Sequence, residues 1–346
     1  MVKISLEKIN DFFAAVAAHG TLYIPVDTSA GAKYEKWENG KKLSDALNTV
    51  RSPKDFFFPQ TENLMEFKTE GKKIEIIDTR TEHEDFVVFG VRACDVKSFE
   101  VLDKVFLSEP VDSFYKNRRE HAVTVSLACT KPHETCFCGT FGIDAAEPGG
   151  DVVCYKTADA LFLDAKTEKG EKLLASVASV TEKTEKADEA EVEEQKKTVR
   201  DRLSKLPLAN LKADAFGDGK TSKFFNAPEW KELSESCLGC GTCTFVCPTC
   251  QCYDIKDYDT GHGIQRYRCW DSCMYSDFTM MAHGNNRTSQ MQRFRQRFMH
   301  KLVYFPANND GMYSCVGCGR CVEKCPSSLN IVKVIKAFEK EAANHE

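Results

Sequence analysis

Twelve of the chain's 17 cysteines fall between residues 237 and 325, and eight of these stand in two copies of one pattern. The copies are Cys237-Leu-Gly-Cys240-Gly-Thr-Cys243-Thr-Phe-Val-Cys247-Pro248 and Cys315-Val-Gly-Cys318-Gly-Arg-Cys321-Val-Glu-Lys-Cys325-Pro326. Each reads C-x2-C-x2-C-x3-C-P, the spacing with which two-cluster ferredoxins hold cubic iron–sulfur groups. Three thiolates on a tight loop reach three corners of one cube, and the fourth, a helical turn further on, points to the neighbouring cube. The pattern therefore predicts one [4Fe–4S] cluster on Cys237, Cys240, Cys243 and Cys325, and a second on Cys247, Cys315, Cys318 and Cys321. Glycines between the ligands let backbone amides approach the sulfur atoms and tune the potential. Structural zinc is a poor match, being built from separated C-x2-C pairs. No histidine follows a C-x-x-C pair, as covalent haem attachment requires.

Four further cysteines invite a third site. Cys136 and Cys138 supply two thiolates close together, flanked by Pro132 and Gly139, while Cys94 and Cys129 each follow a predicted strand. Clustered thiolates are the usual iron–sulfur ligands, so Cys94, Cys129, Cys136 and Cys138 are expected to form one, with Asp95 as a substitute for one thiolate. The opposing reading is that Cys94 and Cys129 are small core residues. Cys154, alternating within an apolar strand, is expected in the core. Cys250, Cys252 and Cys273 either surround the clusters or bind a further one, and Cys269 has no partner at motif spacing. No catalytic residue stands out. No G-x-G-x-x-G follows a candidate strand, so the chain is expected to bind neither flavin nor nicotinamide itself. Gly217 to Thr221 ends like a phosphate loop but has Asp214 where the first glycine is required.

The elements that must position these thiols are of two kinds. In the N-terminal part, Ser5 caps a predicted helix with Leu6, Ile9, Phe13 and Val16 on one face. Leu22–Val26, Phe86–Val91, His121–Ala128 and Asp151–Tyr155 read as strands, the middle two as apolar runs buried on both sides. Arg92-Ala93-Cys94-Asp95 then lies on a strand-to-helix turn, because Val96, Phe99, Leu102, Val105 and Phe106 recur at helical spacing. The C-terminal part reads as helical, with apolar stripes at Met291, Phe294, Phe298, Leu302 and Phe305 and again at Ile331, Val334, Ile335 and Phe338. The predicted fold is an α+β (or α/β) N-terminal domain over residues 1–165, a charged connector or exposed helix over 166–224, and an α-helical dicluster ferredoxin domain over 225–346. The 78 residues separating the two motif starts are expected to be helical. The basic run from Arg287 to Lys301 reads either as a docking face for an acidic partner or an anion, or as a solvated helix face.

Composition narrows the class. At 346 residues and a net charge of −5, the chain is no bulk-charge binder of nucleic acid. No stretch approaches the ~20 apolar residues that span a bilayer, and the first residues lack a signal-peptide core. A cytoplasmic location and no membrane association are expected. In that reducing compartment 17 cysteines point to metal and not to disulfides.

Over nearly its whole length the sequence resembles a family of iron–sulfur electron-transfer subunits, shared by anaerobic sulfite reductases and, as the beta subunit, by cytoplasmic [NiFe] sulfhydrogenases. The resemblance rests on Ser52–Phe58 with Glu62–Phe67, Phe89–Asp95, Leu102-Asp103, Arg118–Glu120, Cys129 with Cys136–Cys138, Cys247–Cys252, Trp270–Cys273 and Cys315–Cys321. One departure is Ala282–Arg287, where relatives more often carry a Gly-rich turn ending in Asn-Pro-Arg. The resemblance implies an electron-transfer subunit working beside two partners. One is an FAD- and NAD(P)-binding reductase subunit. The other is a terminal catalytic subunit, a sirohaem sulfite reductase first and a [NiFe] hydrogenase next. The family pattern also contains Cys94, Cys129, Cys136 and Cys138, which adds to the expectation of a third site. Two other readings stay open: an N-terminal domain with its own substrate-binding iron–sulfur site, and a redox-sensing iron–sulfur protein.

Overall fold

The computed structural model describes residues 1–46, 48–81 and 84–344. Its N-terminal part is built on an eight-stranded mixed sheet. The strands are β1 (Val2–Ser5), β2 (Thr21–Val26), β3 (Lys33–Lys36), β6 (Phe86–Val91), β7 (Ala122–Leu127), β8 (Val152–Lys156), β9 (Ala160–Ala165) and β10 (Glu182–Lys183), in the order β10-β1-β9-β8-β7-β6-β2-β3. The central neighbours β2, β6, β7 and β8 run parallel. Parallel strands need crossovers that cover the sheet, so they are buried on both faces and read as continuous apolar runs.

On one face Val87, Phe89, Val125, Leu127 and Val152 meet Phe12, Phe13 and Val16 of α1 (Ile9–Ala17) and Leu173 of α4 (Glu168–Ser176). On the other, Val88 and Val91 pack with Phe99, Leu102 and Phe106 of α2 (Ala93–Phe106), with Tyr115 of α3 (Ser113–His121), and with Phe57 and Phe58. Ser5 accepts a hydrogen bond from the Glu7 amide as expected of a cap, although the turn that follows is 3-10 before α1 begins. The acid- and base-rich stretch forms α5 (Lys186–Ser204), an exposed helix anchored by buried Val192 and Val199.

A second sheet corrects the expectation that the interval between the motifs is helical. Residues Tyr253–Asp259 (β11) and Gly263–Trp270 (β12) form a hairpin, and β12 pairs antiparallel with β4 (Thr61–Glu70), itself paired with β5 (Lys73–Asp78). The hairpin reads poorly in sequence because Asp254, Lys256, Asp257 and Asp259 leave no buried face to pattern. Its base is tied down by Arg268, which is buried and bonds Glu62 Oε2 through Nε at 2.6 Å and also Asp112.

Apart from a two-residue antiparallel ladder between Met280–Met281 and Gly284–Asn285, the remaining C-terminal elements are helices. They comprise α6 (Thr221–Phe225), α7 (Glu229–Ser234), α8 (Thr242–Phe245), α9 (Gln290–Met299), α10 (Phe305–Asn308), α11 (Arg320–Glu323) and α12 (Ile331–Asn344). Their core joins Phe216, Phe224 and Trp230 to Phe294, Phe298 and Leu302 and to Val334, Ile335 and Phe338. Between α9 and α10 the helix widens to π geometry over His300–Tyr304. No helix among the described residues is long and apolar enough to cross a membrane.

Candidate functional site: three thiol sets around a buried cationic core

The two motifs fold alike. Gly239 and Gly241 in the first, and Gly317 and Gly319 in the second, take left-handed backbone with φ of 64°, 73°, 60° and 77°. Only glycine adopts this conformation without strain. Gly241 and Gly319 lead directly into the one-turn helices α8 and α11, which pack against each other. This arrangement crosses the motifs over. Cys237, Cys240, Cys243 and Cys325 together line one pocket walled by Leu238, Met274, Phe294 and Phe298.

The reciprocal set lies deeper. Cys315, Cys318 and Cys321 share their electrostatic surroundings with Cys247. Burial pushes the thiols of Cys315 and Cys318 up to about 12. Cys243 in the first set is likewise raised to about 12 by burial. Cys240, which is exposed, is instead lowered by hydrogen bonds from the Thr242 hydroxyl and amide.

The N-terminal cysteines also converge. Cys94 follows β6 and Cys129 follows β7, so both sit at the carboxyl ends of adjacent parallel strands, where ligand sites of such sheets lie. Gly90, with φ of 82°, makes a bulge in β6 just before the turn. Cys94 and Cys129 line a second pocket with Cys136 and Cys138. Burial raises Cys136 and Cys138 to about 12 and Cys94 well above its ordinary value.

This cavity abuts the second motif: Gly317 and Cys318 are part of its wall, and the Gly317 carbonyl accepts the Phe137 amide at 2.8 Å. A Cβ on Gly317 would fall 2.4 Å from the Phe137 carbonyl oxygen, and one on Gly319 2.5 Å from Thr135 Oγ1. Arg320 completes the junction. Its guanidinium grips both carboxylate oxygens of Asp95 at 2.6 and 2.9 Å and the Thr49 carbonyl at 2.9 Å. Asp95 is therefore not a substitute ligand, as the sequence allowed. Fully buried, it needs a fixed cation, and Arg320 is that cation.

Between the sets lie the further thiols the sequence pointed to and buried cations it did not. Cys250 lies against Cys247, and Cys273 against Cys252; the hydrogen bond each pair shares lowers Cys247 and Cys252 and raises Cys250 and Cys273. Arg297 and Lys301, two members of the basic run read as surface, are buried beside them. Arg297 is 2% exposed and donates to the Cys243 carbonyl at 3.0 Å, yet its Nε and Nη1 are buried without a hydrogen-bond partner. Its guanidinium lies in the field of Cys243, Cys321, Cys250 and Cys247. Unpaired buried guanidinium nitrogens facing thiols call for an anionic group there. Cys154 is fully buried in β8 as expected, and Cys269 stays on β12, apart from the three sets.

Among the described residues no three His, Cys, Asp or Glu side chains converge tightly enough for a single metal ion. The donor chemistry fits a larger group: all-thiol sets, apolar walls and orphaned cationic nitrogens. Thiols raised to about 12 stay protonated at neutral pH until a bound cation displaces their protons. Iron–sulfur clusters held there would supply one-electron redox chemistry, these thiols binding them while the surrounding fold keeps water from the inner sets and sets the nearby charge.

Comparison with known proteins agrees. The 4Fe-4S dicluster domain matches residues 236–329, which hold both motifs. The sulfhydrogenase 2 subunit beta of Pyrococcus furiosus is 34% identical over 341 residues, covering 96% of this chain and 97% of that protein. No solved structure matches. With both motifs inside the matched domain and the likeness running almost end to end, the chain belongs to the sulfhydrogenase beta-subunit family of iron–sulfur electron-transfer proteins.

Proposed function

We propose that this chain carries three [4Fe–4S] clusters and relays single electrons between an FAD- and NAD(P)-binding reductase subunit and a terminal catalytic subunit. The ligands are Cys237, Cys240, Cys243 and Cys325; Cys247, Cys315, Cys318 and Cys321; and Cys94, Cys129, Cys136 and Cys138. The carrying observation is that Cys325 lines one cavity with the first motif's three leading cysteines despite the long gap in sequence. Contact of the third set with Gly317 and Cys318 supports a continuous path across all three. A relative named as a sulfhydrogenase subunit favours a [NiFe]-hydrogenase partner over the sirohaem sulfite reductase that the resemblance put first. The flavin and nicotinamide belong to the reductase partner in this reading.

The test is iron analysis with EPR on the anaerobically purified chain. The expected content is about 12 irons per chain, four per cubane. A reproducible value near about eight removes the N-terminal site. Cys325→Ser should disturb the signal that Cys237→Ser also disturbs. Loss confined to the signal that depends on Cys318 would overturn the cross-ligation.

A further inference from the structure

Buried cations in this molecule fall into two kinds. Arg268 and Arg320 are matched to carboxylates, Glu62 with Asp112 and Asp95 respectively. Lys54, Arg297 and Lys301, exposed by only 2%, 2% and 3%, have no ion pair with a carboxylate among the described residues. Lys301 Nζ donates to Thr249 Oγ1 at 2.7 Å and to the Ser314 carbonyl at 3.3 Å. Lys54 Nζ donates to the Cys250 carbonyl at 3.0 Å and stands 3.6 Å over the Trp270 ring. Thr249 Oγ1 in turn lies 3.3 Å from Cys247 Sγ.

Lys54 and Lys301 therefore stand near Cys247 and its neighbour Cys250, while Arg297 lies between these thiols and Cys243, lining the pocket of the first set as well. An isolated charge in such a place is costly; Asp55 stands near Lys54 but is paired with Arg51, and among the described residues Arg297 and Lys301 have no ion pair with a carboxylate. The compensating charge must come from what the thiols hold. Each electron added to a thiolate-ligated cluster makes it more negative, and fixed cations in a low-dielectric setting favour that state.

We infer that Lys301, with Lys54 and Arg297, holds up the reduction potential of the central cluster on Cys247, Cys315, Cys318 and Cys321. This rests on the reading under Proposed function. These are positioning residues: they act on the cluster's charge through space and through the Thr249 hydroxyl, and transfer no atom.

The experiment is an EPR-monitored redox titration of the full chain with its clusters, the central signal being the one that Cys318→Ser removes. Lys301→Met should lower that midpoint by at least tenfold in the reduction equilibrium, about 59 mV for one electron. Lys301→Arg, which keeps the charge, should stay within about threefold of the parent. The signal that depends on Cys237 should move less than the central one. A folded, iron-loaded Lys301→Met protein with an unmoved central midpoint overturns the inference. So does an equal shift at both signals, which would mark a general loosening of the fold. If Lys301→Met does not accumulate, Lys54→Met carries the test, and there a drop under threefold overturns it. A parent protein with no iron and no signal overturns the iron–sulfur reading itself, and the two failures are thereby told apart.

Discussion

Single side chains here do the joining. Arg320 sits inside the second motif yet spends its guanidinium on Asp95 in the first turn of α2, tying a ligand loop to a strand end 225 residues away. Arg320→Ala leaves Asp95 buried without its partner, and the expected loss is about 3–5 kcal/mol. Chemical denaturation monitored by circular dichroism reads it as a lowered midpoint at unchanged slope. His300 gives a pH signature. Burial and the neighbouring Lys301 push its imidazole down to about 4 from the ordinary 6.5. The folded chain keeps it neutral, so its contribution is present above about pH 6.5 and is lost as pH falls toward 4. His300→Gln should flatten that part of the stability–pH profile, and an unchanged slope between pH 6.5 and 4 would show another group responsible. The cysteine spacing made the grouping of Cys325 with Cys237, Cys240 and Cys243 around one pocket legible, since C-x2-C-x2-C-x3-C-P constrains geometry locally. The buried cations were not legible: Arg297 and Lys301 stand in a basic run, and lysine and arginine are so rarely buried that such a run reads as surface.

At the level of elements, the paired loops depend on glycine for two separate reasons. One is backbone sign and the other is clearance. Gly319 needs both, having φ of 77° and Thr135 atoms within 2.6 Å of where a Cβ would stand. Gly142 has φ of 70° but open space around it. Gly142→Ala should cost only the left-handed penalty of about 1–2 kcal/mol. Gly319→Ala should cost clearly more and reduce iron at the second and third sites together, because Thr135 precedes Cys136. Thermal melts with iron analysis on the two variants check this, and equal losses would refute the clearance argument. The parallel strands β6 and β7 were readable because burial on both faces leaves unbroken apolar runs. The hairpin β11–β12 was not, because its sides carry charge and its pairing partner β4 lies nearly 200 residues earlier, beyond any local pattern.

For the whole molecule, that same pairing means the N-terminal sheet region and the motif-bearing region are not separable by cutting between them. A fragment ending at residue 235 would leave β4 and β5 as a two-stranded ribbon with β4's outer edge bare, and Glu62 without Arg268. Isolated two-stranded hairpins are marginal in water, and bare edges recruit other chains. The fragment should therefore aggregate at concentrations where the full chain stays monodisperse, as light scattering would show. A well-behaved monomeric fragment would mean the ribbon is an ornament.

Cys325, which closes the cavity opened by Cys237, Cys240 and Cys243, follows them by more than 80 residues. A ribosome exposes the three leading thiols of that chamber long before it releases the fourth. If these four hold a cluster as proposed, delivery of iron and sulfide to it waits on synthesis past residue 325. A product terminated before that point lacks the fourth thiol of this pocket and would be expected to hold less iron than the full chain.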